Sequence, residues 1–192
     1  MRQNPARRAA LLDGAIEVLA REGSRGLTLR AVDTQAAVPK GTTTNYFADR
    51  AELLAQVMQR IQERLTPQEA QVAGALQEKP SADVVATLLK QLLGRMRADR
   101  SSWLALMELR LEATRRPELH AELTRFLTAQ LDGNIAFHLD AGLPGDRTAV
   151  ILLYLSMLGM ILDDLTVPQL LTPYATDKLI DEMARRILRV AD

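Results

Sequence analysis

Residues 28–47, TLRAVDTQAAVPKGTTTNYF, contain the pattern that decides the fold, which is two short helices joined by a tight turn. Leu29, Val32 and Ala36 recur at the spacing of one helix face. Thr28 stands just before them, where a hydroxyl can accept a hydrogen bond from the free backbone N–H groups of a first helical turn. The first half of the stretch therefore predicts a capped helix with one buried face.

The second half of the stretch predicts a helix with a polar face. Pro39 suits the first position of such a helix, because the backbone N–H that proline lacks would have no partner there. We expect the helix to run from about Lys40 to Asn45, although residues 42–44 are three consecutive threonines with low helix propensity. Their hydroxyl and methyl groups suit a polar, grooved partner. The major groove of DNA is such a partner, since it presents base edges, thymine methyls and phosphates.

Residues 8–57 resemble the DNA-binding domain of the TetR family of transcriptional regulators, over about a quarter of the chain. The resemblance is specific, because apolar, capping and basic positions agree with the family pattern in order and spacing. It implies a helix-turn-helix domain that binds DNA. The segments that carry it are Gly26-Leu27-Thr28-Leu29-Arg30-Ala31-Val32, Ala37-Val38-Pro39, Lys40-Gly41-Thr42, Tyr46-Phe47 and Asp49-Arg50-Ala51-Glu52-Leu53-Leu54.

Three positions depart from the family pattern. Asp33 stands where alanine is common, Ala37 stands where the turn usually has glycine, and Pro39 replaces a capping serine. An alanine in a left-handed turn costs roughly 1 kcal/mol. These departures bear on the geometry of the turn rather than on the fold. The threonine-rich segment also departs from the pattern, which bears on the DNA sequence that is read.

Composition favours a helical protein with a basic N-terminal third. The chain has 192 residues, 47% of them apolar and 4% aromatic, which is enough to bury a core in one or two domains. Residues 1–64 hold ten Lys or Arg and seven Asp or Glu, giving +3, and residues 65–192 hold fourteen and seventeen, giving −3. A basic N-terminal domain on an acidic body is typical of a small DNA-binding domain attached to another function.

The sequence predicts a soluble, cytoplasmic protein. It contains no cysteine, so neither a disulfide framework nor thiol chemistry is expected. No unbroken apolar segment follows the basic N-terminus, so no signal peptide is expected. The richest apolar stretch, Val150–Leu162, has thirteen residues and is shorter than a bilayer span requires.

Helical periodicity continues along the chain and predicts an all-α fold of about nine helices. The first helix is expected over Pro5–Glu22, with Asn4 as its N-cap and Gly23 at its end. The predicted domains are residues 1–48, a helix-turn-helix DNA-binding domain (the head), residues 49–66, a connecting helix, and residues 67–192, a C-terminal helical bundle for ligand binding and dimerisation.

The resemblance implies roles for individual residues of the head. The start of its second helix would bind phosphate, its third helix would face the major groove, and the residues after that would bind the DNA backbone. Thr43 is placed at the centre of the exposed face of the third helix, where it would read a base. The predicted DNA-binding residues are Thr28, Arg30, Lys40, Thr42, Thr43, Asn45, Tyr46 and Arg50.

The resemblance also implies an effector pocket in the C-terminal bundle and a two-fold interface formed by the last two helices, which are more apolar than a solvent-facing surface requires. Methionine adapts to ligands of irregular shape, although ordinary core packing explains the same residues without a ligand. The predicted pocket residues are Met96, Trp103, Met107, Phe126, Phe137, Met157 and Met160. The predicted dimer-interface residues are Tyr154, Leu158, Leu179, Met183 and Ile187.

Catalysis has little support in the sequence. The two histidines, His120 and His138, have neither metal-ligand nor catalytic-triad spacing, and His138 is expected to pack among apolar neighbours. Asp163 and Asp164 are consecutive in a helix, so they point about 100° apart and cannot form a matched acid–base pair. We therefore predict no enzymatic activity, no metal and no cofactor.

The sequence is interpreted as a ligand-responsive regulator, a repressor that binds a palindromic DNA operator as a homodimer and is released by a small-molecule effector. Two alternatives stay open, a helical protein–protein binding module and a metal-dependent helical enzyme. A DNA affinity that falls steeply with salt separates the regulator from the binding module. Zinc or iron in the purified protein would identify the enzyme.

Overall fold

Every regular element between residues 4 and 188, the part of the chain that the computed structural model describes, is a helix. This confirms the all-α fold. Two short 3₁₀ helices, Pro168–Leu170 and Thr172–Tyr174, join the last two of ten α-helices. The α-helices are α1 (Pro5–Gly26), α2 (Leu29–Gln35), α3 (Thr42–Tyr46), α4 (Arg50–Leu65), α5 (Glu69–Ala75), α6 (Ala82–Ala98), α7 (Arg100–Ala113), α8 (Pro117–Asp140), α9 (Arg147–Thr166) and α10 (Thr176–Ile187).

The chain forms two compact units. The first unit contains the described residues up to Thr66 together with Asp99–Phe126, and the second contains Pro67–Ala98 and the described residues from Leu127 onward. Within the first unit, α7 packs against α1. The predicted functional division into residues 1–48, 49–66 and 67–192 stays a prediction.

Helix α1 is the centre of the first unit, where it packs against α2, α4 and α7. Gly14 lies under α2, where an added Cβ atom would come within 3.3 Å of the Ala36 Cβ. The missing side chain therefore lets the two helices approach each other closely. Fully enclosed side chains of this core include Leu11, Ile16, Leu19, Leu53, Met58 and Leu109.

Polar side chains cap the helices of the head as the sequence predicts. The Asn4 side chain accepts hydrogen bonds from two backbone N–H groups in the first turn of α1. The Thr28 hydroxyl accepts one from Ala31 at 3.1 Å. Gly23 has a φ of +70°, so the regular part of α1 ends at Glu22. The predicted limits of this helix are therefore confirmed.

Helix α3 begins at Thr42, two residues later than predicted, and Pro39 lies outside it. The Pro39 carbonyl accepts a hydrogen bond from the Thr42 N–H at 3.1 Å, which closes a turn before the helix. The prediction that Pro39 is the first helical residue is therefore wrong. The physical reason is the turn itself, which contains two left-handed residues, Ala37 with a φ of +52° and Gly41 with a φ of +84°.

Two arginines fasten α4 to the rest of the first unit through bidentate hydrogen bonds. Arg60 binds Asp13 of α1 at 2.9 and 3.0 Å, and Arg64 binds Asp99, just before α7, at 2.8 and 2.7 Å. Burial lowers the pKa of Arg64, but the hydrogen bonds to Asp99 and the negative charges of Asp99, Asp13 and Glu17 together raise that pKa overall. Burial alone would raise the pKa of Asp99, whereas hydrogen bonds from Arg64 and Ser102 lower it.

Helix α6 organises the second unit by packing against α9 and α10. His138, on α8, is buried, and its Nε2–H donates to the Pro144 carbonyl at 2.8 Å. This histidine is therefore a packed residue of the fold, as predicted. The core side chains contributed by the three helices include Val84, Val85, Leu93, Met96, Leu153, Met157, Ile161, Ile180 and Ala184.

Replacing Ala37 by glycine should stabilise the first unit by up to about 1 kcal/mol, because glycine adopts a positive φ without alanine's steric cost. Thermal unfolding followed by the fluorescence of Trp103, the only tryptophan, reports on this unit. Ala36→Gly is the matched control and should destabilise, because Ala36 has an ordinary φ of −79°. A lower melting temperature for Ala37→Gly than for wild type would contradict the left-handed conformation of Ala37.

Candidate nucleic-acid interface

A buried carboxylate holds helix α3 in place. Asp33, on α2, is 2% exposed and accepts three hydrogen bonds from the start of α3. The donors are the Gly41 N–H at 2.7 Å, the Thr43 N–H at 2.8 Å and the Thr43 hydroxyl at 2.5 Å. Gly41 occupies the N-cap position and has no side chain. Asp33 therefore provides, from a different helix, the acceptor that an N-cap side chain normally provides.

Thr43 faces the protein interior, so the prediction that it lies on the exposed face of α3 is wrong. Its side chain is fully buried against Asp33. The exposed residues of α3 are Thr44 and Asn45, and Thr44 is not among the predicted contacts. A helix of five residues has too few apolar positions for periodicity to define its buried face. The signal in the sequence that points to Thr43 is Asp33, an acid at a position where the family commonly has alanine.

The C-terminal end of α3 is held by an arginine from α1. The Arg8 guanidinium donates to the Tyr46 carbonyl at 2.9 Å and lies 5.0 Å from the ring centre of the buried Phe47. The half-buried Tyr46 accepts a hydrogen bond from the Asn4 N–H on its hydroxyl at 3.3 Å. That hydroxyl can still donate its hydrogen to a phosphate oxygen. Asp33 and Arg8 thus fix α3 at its two ends.

Arg50, for which a contact with the DNA backbone is predicted, holds the loop between α1 and α2. Its guanidinium donates to the Leu27 carbonyl, to the Ser24 carbonyl at 2.8 Å and to the Ser24 hydroxyl at 3.0 Å. Burial, with repulsion from Arg116, lowers the pKa of Arg50. We therefore assign Arg50 a structural role at the start of α2.

The solvent-facing side of the helix-turn-helix carries unpaired positive charge and hydroxyl groups. Arg30 and Lys40 are exposed, and neither side chain forms an ion pair within residues 4–188. Thr28 accepts a backbone N–H but can still donate. The half-buried Thr42 donates its hydroxyl to a backbone carbonyl at 2.5 Å. Cations and hydroxyls on an exposed helical face are the groups that bind phosphate oxygens and base edges.

The residues predicted for an effector pocket do not share one environment. Met96 and Met157 are buried, whereas Phe137 is 41% exposed. The other four are half-buried, and the indole N–H of Trp103 is enclosed without a hydrogen-bond partner. Trp103, Met107 and Phe126 belong to the first unit, and Met96, Phe137, Met157 and Met160 belong to the second.

The residues predicted for a dimer interface border a larger apolar surface. Tyr154 and Leu158 on α9 are half-buried, as are the three predicted residues of α10, which are Leu179, Met183 and Ile187. The most exposed apolar side chains of α9 were not predicted. They are Leu152, Leu155 and Leu162, at 46%, 54% and 41% exposure. Their spacing of three and seven residues places them along one side of the helix.

Two substitutions distinguish a residue that stabilises α3 from a residue that contacts a base. They are Thr43→Val and Thr44→Val. Thr43→Val keeps the side-chain shape but removes the bond to Asp33, so it should destabilise the first unit by about 1–2 kcal/mol. The preferred DNA sequence should stay the same. Thr44→Val alters an exposed side chain, so stability should change by less than about 0.5 kcal/mol. The free energy by which the protein discriminates between bases at one position of the DNA site should change by about 1–3 kcal/mol.

Thermal unfolding and selection of bound DNA from a random pool measure both effects. An altered base preference in Thr43→Val, together with wild-type stability, would reverse the roles assigned to the two threonines.

Comparisons with known proteins cover both parts of the chain. The family model described as bacterial regulatory proteins, tetR family, matches residues 11–57. The model described as Tetracyclin repressor-like, C-terminal domain, matches residues 80–190, which is more than half of the chain. A search of curated proteins found no significant match.

Solved structures match over nearly the full length. The multidrug binding protein EbrR, complexed with imidazole, is 29% identical over 98% of each chain, with a TM-score of 0.69. Other EbrR structures contain ethidium or proflavin. A TetR-family member from Streptomyces coelicolor A3 is 30% identical over 97% of this chain and 100% of its own, with a TM-score of 0.72. A transcriptional regulator from Rhodococcus sp. Rha1 shares the fold at 22% identity, covering 99% and 100%, with a TM-score of 0.73.

The two family models and these structures agree with the motif in residues 8–57, so the chain belongs to the TetR family of transcriptional regulators.

Proposed function

We propose that the protein is a homodimeric repressor that binds a palindromic DNA operator and is released by a small-molecule effector. The observation that carries the DNA-binding part is the exposure of Thr44 and Asn45 on α3 and of Lys40 in the turn before it. Asp33 supports this helix from inside. One helix of five residues reads too few base pairs to be specific, and a symmetric dimer doubles the contact.

The proposed DNA contacts divide into two kinds. Lys40, Arg30, Thr28 and Tyr46 bind phosphates, because they offer charge or a hydroxyl donor at the edges of the motif. The residues proposed to reach base edges are Thr42, Thr44 and Asn45.

Helix α9 supports the proposed dimer, because much of its apolar surface is uncovered. Its most apolar 18-residue window has a mean hydropathy of 1.7, and only 33% of that window is buried. The apolar stretch Val150–Leu162 lies within this helix, which has 20 residues and is long enough to cross a membrane. The prediction that the stretch is shorter than a bilayer span is therefore wrong for the helix that contains it. We propose that a second copy, rather than lipid, covers Leu152, Leu155 and Leu162, and that the protein is cytoplasmic.

Helix α10 extends the same proposed interface. Leu179, Met183 and Ile187 repeat at four-residue intervals and remain half-exposed in a single copy. Within the second unit α10 contacts α9, so the two helices can present one continuous surface. Pairing of these helices with their copies across a two-fold axis would form a four-helix interface.

The small-molecule part of the proposal rests on family membership and on EbrR, a relative with bound imidazole, ethidium or proflavin. Within the second unit, the pocket would draw on the predicted residues Met96, Met157 and Met160. Effector binding would shift α4, which Arg60 and Arg64 fasten to its neighbours, and so change the spacing of the two heads. Neither enzymatic activity nor a cofactor is part of the proposal, and residues 4–188 hold no cluster of three metal-ligating side chains.

Selection of bound DNA from a random pool tests the proposed function. We expect a palindrome with two half-sites about one helical turn apart, and an affinity that falls steeply with salt. Lys40→Ala should weaken binding to the palindrome and to random DNA alike, and should reduce the salt slope by about 1. The exposed Lys79 lies outside the head, so Lys79→Ala is the matched control and should bind as wild type. Binding that is independent of salt, without an enriched sequence, would favour a protein–protein binding module.

The dimer is tested by Met183→Asp, which places an unpaired charge in the proposed interface. We expect sedimentation as a monomer, or insoluble protein, at micromolar concentration. Leu111→Asp is the matched control, because Leu111 is 57% exposed but lies on α7, away from α9 and α10 in the chain. It should sediment like wild type. A soluble Met183→Asp dimer would remove α10 from the interface.

A further inference from the structure

Helix α6 carries three cations, and two of them are neutralised within the second unit. Lys90 binds Asp181 of α10 at 2.6 Å. Arg97 binds Asp164 of α9 through two hydrogen bonds, at 2.5 and 2.9 Å. Opposite charges on the packed helices therefore balance the cations that lie near them.

Arg95 is the third cation, and the described part of the chain gives it no partner. It forms neither a hydrogen bond nor an ion pair through its side chain within residues 4–188, and its Nε atom is enclosed without an acceptor. Burial lowers the pKa of Arg95, but an arginine stays charged at any physiological pH. An enclosed donor without an acceptor destabilises the folded protein. This cost to the unliganded protein would be offset if the missing acceptor belonged to a ligand.

Gln91 gives a second, separate indication at the same place. Its amide Oε1 is also enclosed without a hydrogen-bond donor. Gln91 and Arg95 are four residues apart, so they lie on one face of α6, with Cβ atoms about 5–6 Å apart in such a helix. Leu88, three residues before Gln91, is half-buried and continues that face. One side of α6 thus offers an apolar position, an unfilled acceptor and an unneutralised cation in succession.

We propose that this face of α6 binds a small organic acid, with its carboxylate on Arg95, a hydroxyl or amine donor on Gln91, and an apolar body toward Leu88. The proposal rests on the proposed function, in which such a ligand is the effector. A carboxylate fits because the planar guanidinium presents paired N–H donors to two oxygens. A cation is excluded from the same position by repulsion from Arg95.

Calorimetry on the full-length protein tests the proposal with matched probes. The probes are 4-hydroxybenzoate, salicylate and 3-(4-hydroxyphenyl)propionate, each with its primary amide, together with inorganic phosphate and the cation ethidium. We expect at least one acid to bind wild type about tenfold or more tightly than its amide, because the charged hydrogen bonds are lost in the amide. Arg95→Met should abolish that preference. Arg97→Met removes a neighbouring charge from the same helix and should keep it.

The melting temperature of the unliganded protein separates a ligand contact from a structural role. Arg95→Met should melt at or above the wild-type temperature, because it removes an unsatisfied enclosed donor. A lower melting temperature, with the acid preference unchanged, would show that Arg95 only supports the fold. Equal binding of acids and amides, binding of phosphate alone, or tighter binding of ethidium would each overturn the proposal. Sedimentation of Arg95→Met as a monomer would instead assign the missing partner to a second copy.

DNA binding by the same unliganded preparations keeps the two proposals apart. Wild type and Arg95→Met should select the same palindrome with the same affinity, because Arg95 lies outside the head. Preference for acids without DNA binding would leave the acid site standing and reject the repressor. DNA binding without preference for acids would reject the acid site alone.

Discussion

The geometry of the DNA-binding face depends on one buried carboxylate. Asp33 accepts hydrogen bonds from the Gly41 and Thr43 N–H groups, which a five-residue helix cannot satisfy by itself. A glycine N-cap and a left-handed alanine make this turn weak in local preference. The tertiary contact therefore decides where α3 begins and which of its residues face outward. Arg8, at the other end, completes the fixation by binding the Tyr46 carbonyl.

The sequence predicted a structural feature best where that feature depends only on neighbouring residues. The caps at Asn4 and Thr28 and the end of α1 at Gly23 depend on neighbouring residues, so local chemistry was sufficient. Thr43 could not be assigned in this way, because its burial depends on an acid in another helix. Arg50 is a similar case, since its acceptors lie more than twenty residues earlier in the chain. The sequence shows that a residue is a cation, but it does not show whether the N–H donors of that residue already bond to other groups in the fold.

Helix α9 shows a different limit of sequence reasoning. Between residues 149 and 162 every position except Ser156 and Gly159 is apolar, so periodicity cannot choose the side that faces the core. Packing against α6 and α10 makes that choice and buries Leu153, Met157 and Ile161. Leu152, Leu155 and Leu162 are left uncovered on the other side. The predicted Tyr154 and Leu158 lie at the edge of that surface rather than at its centre.

Asp99 has a mechanical consequence through its place in the chain. It is the only residue between α6 and α7, and it both caps α7 and binds Arg64 of α4. The end of α4 and the first turn of α7 therefore share one carboxylate within the first unit. Removing that carboxylate would remove a helix cap and an ion pair in one step. Two segments that are 35 residues apart in the chain would then lose the same anchor together.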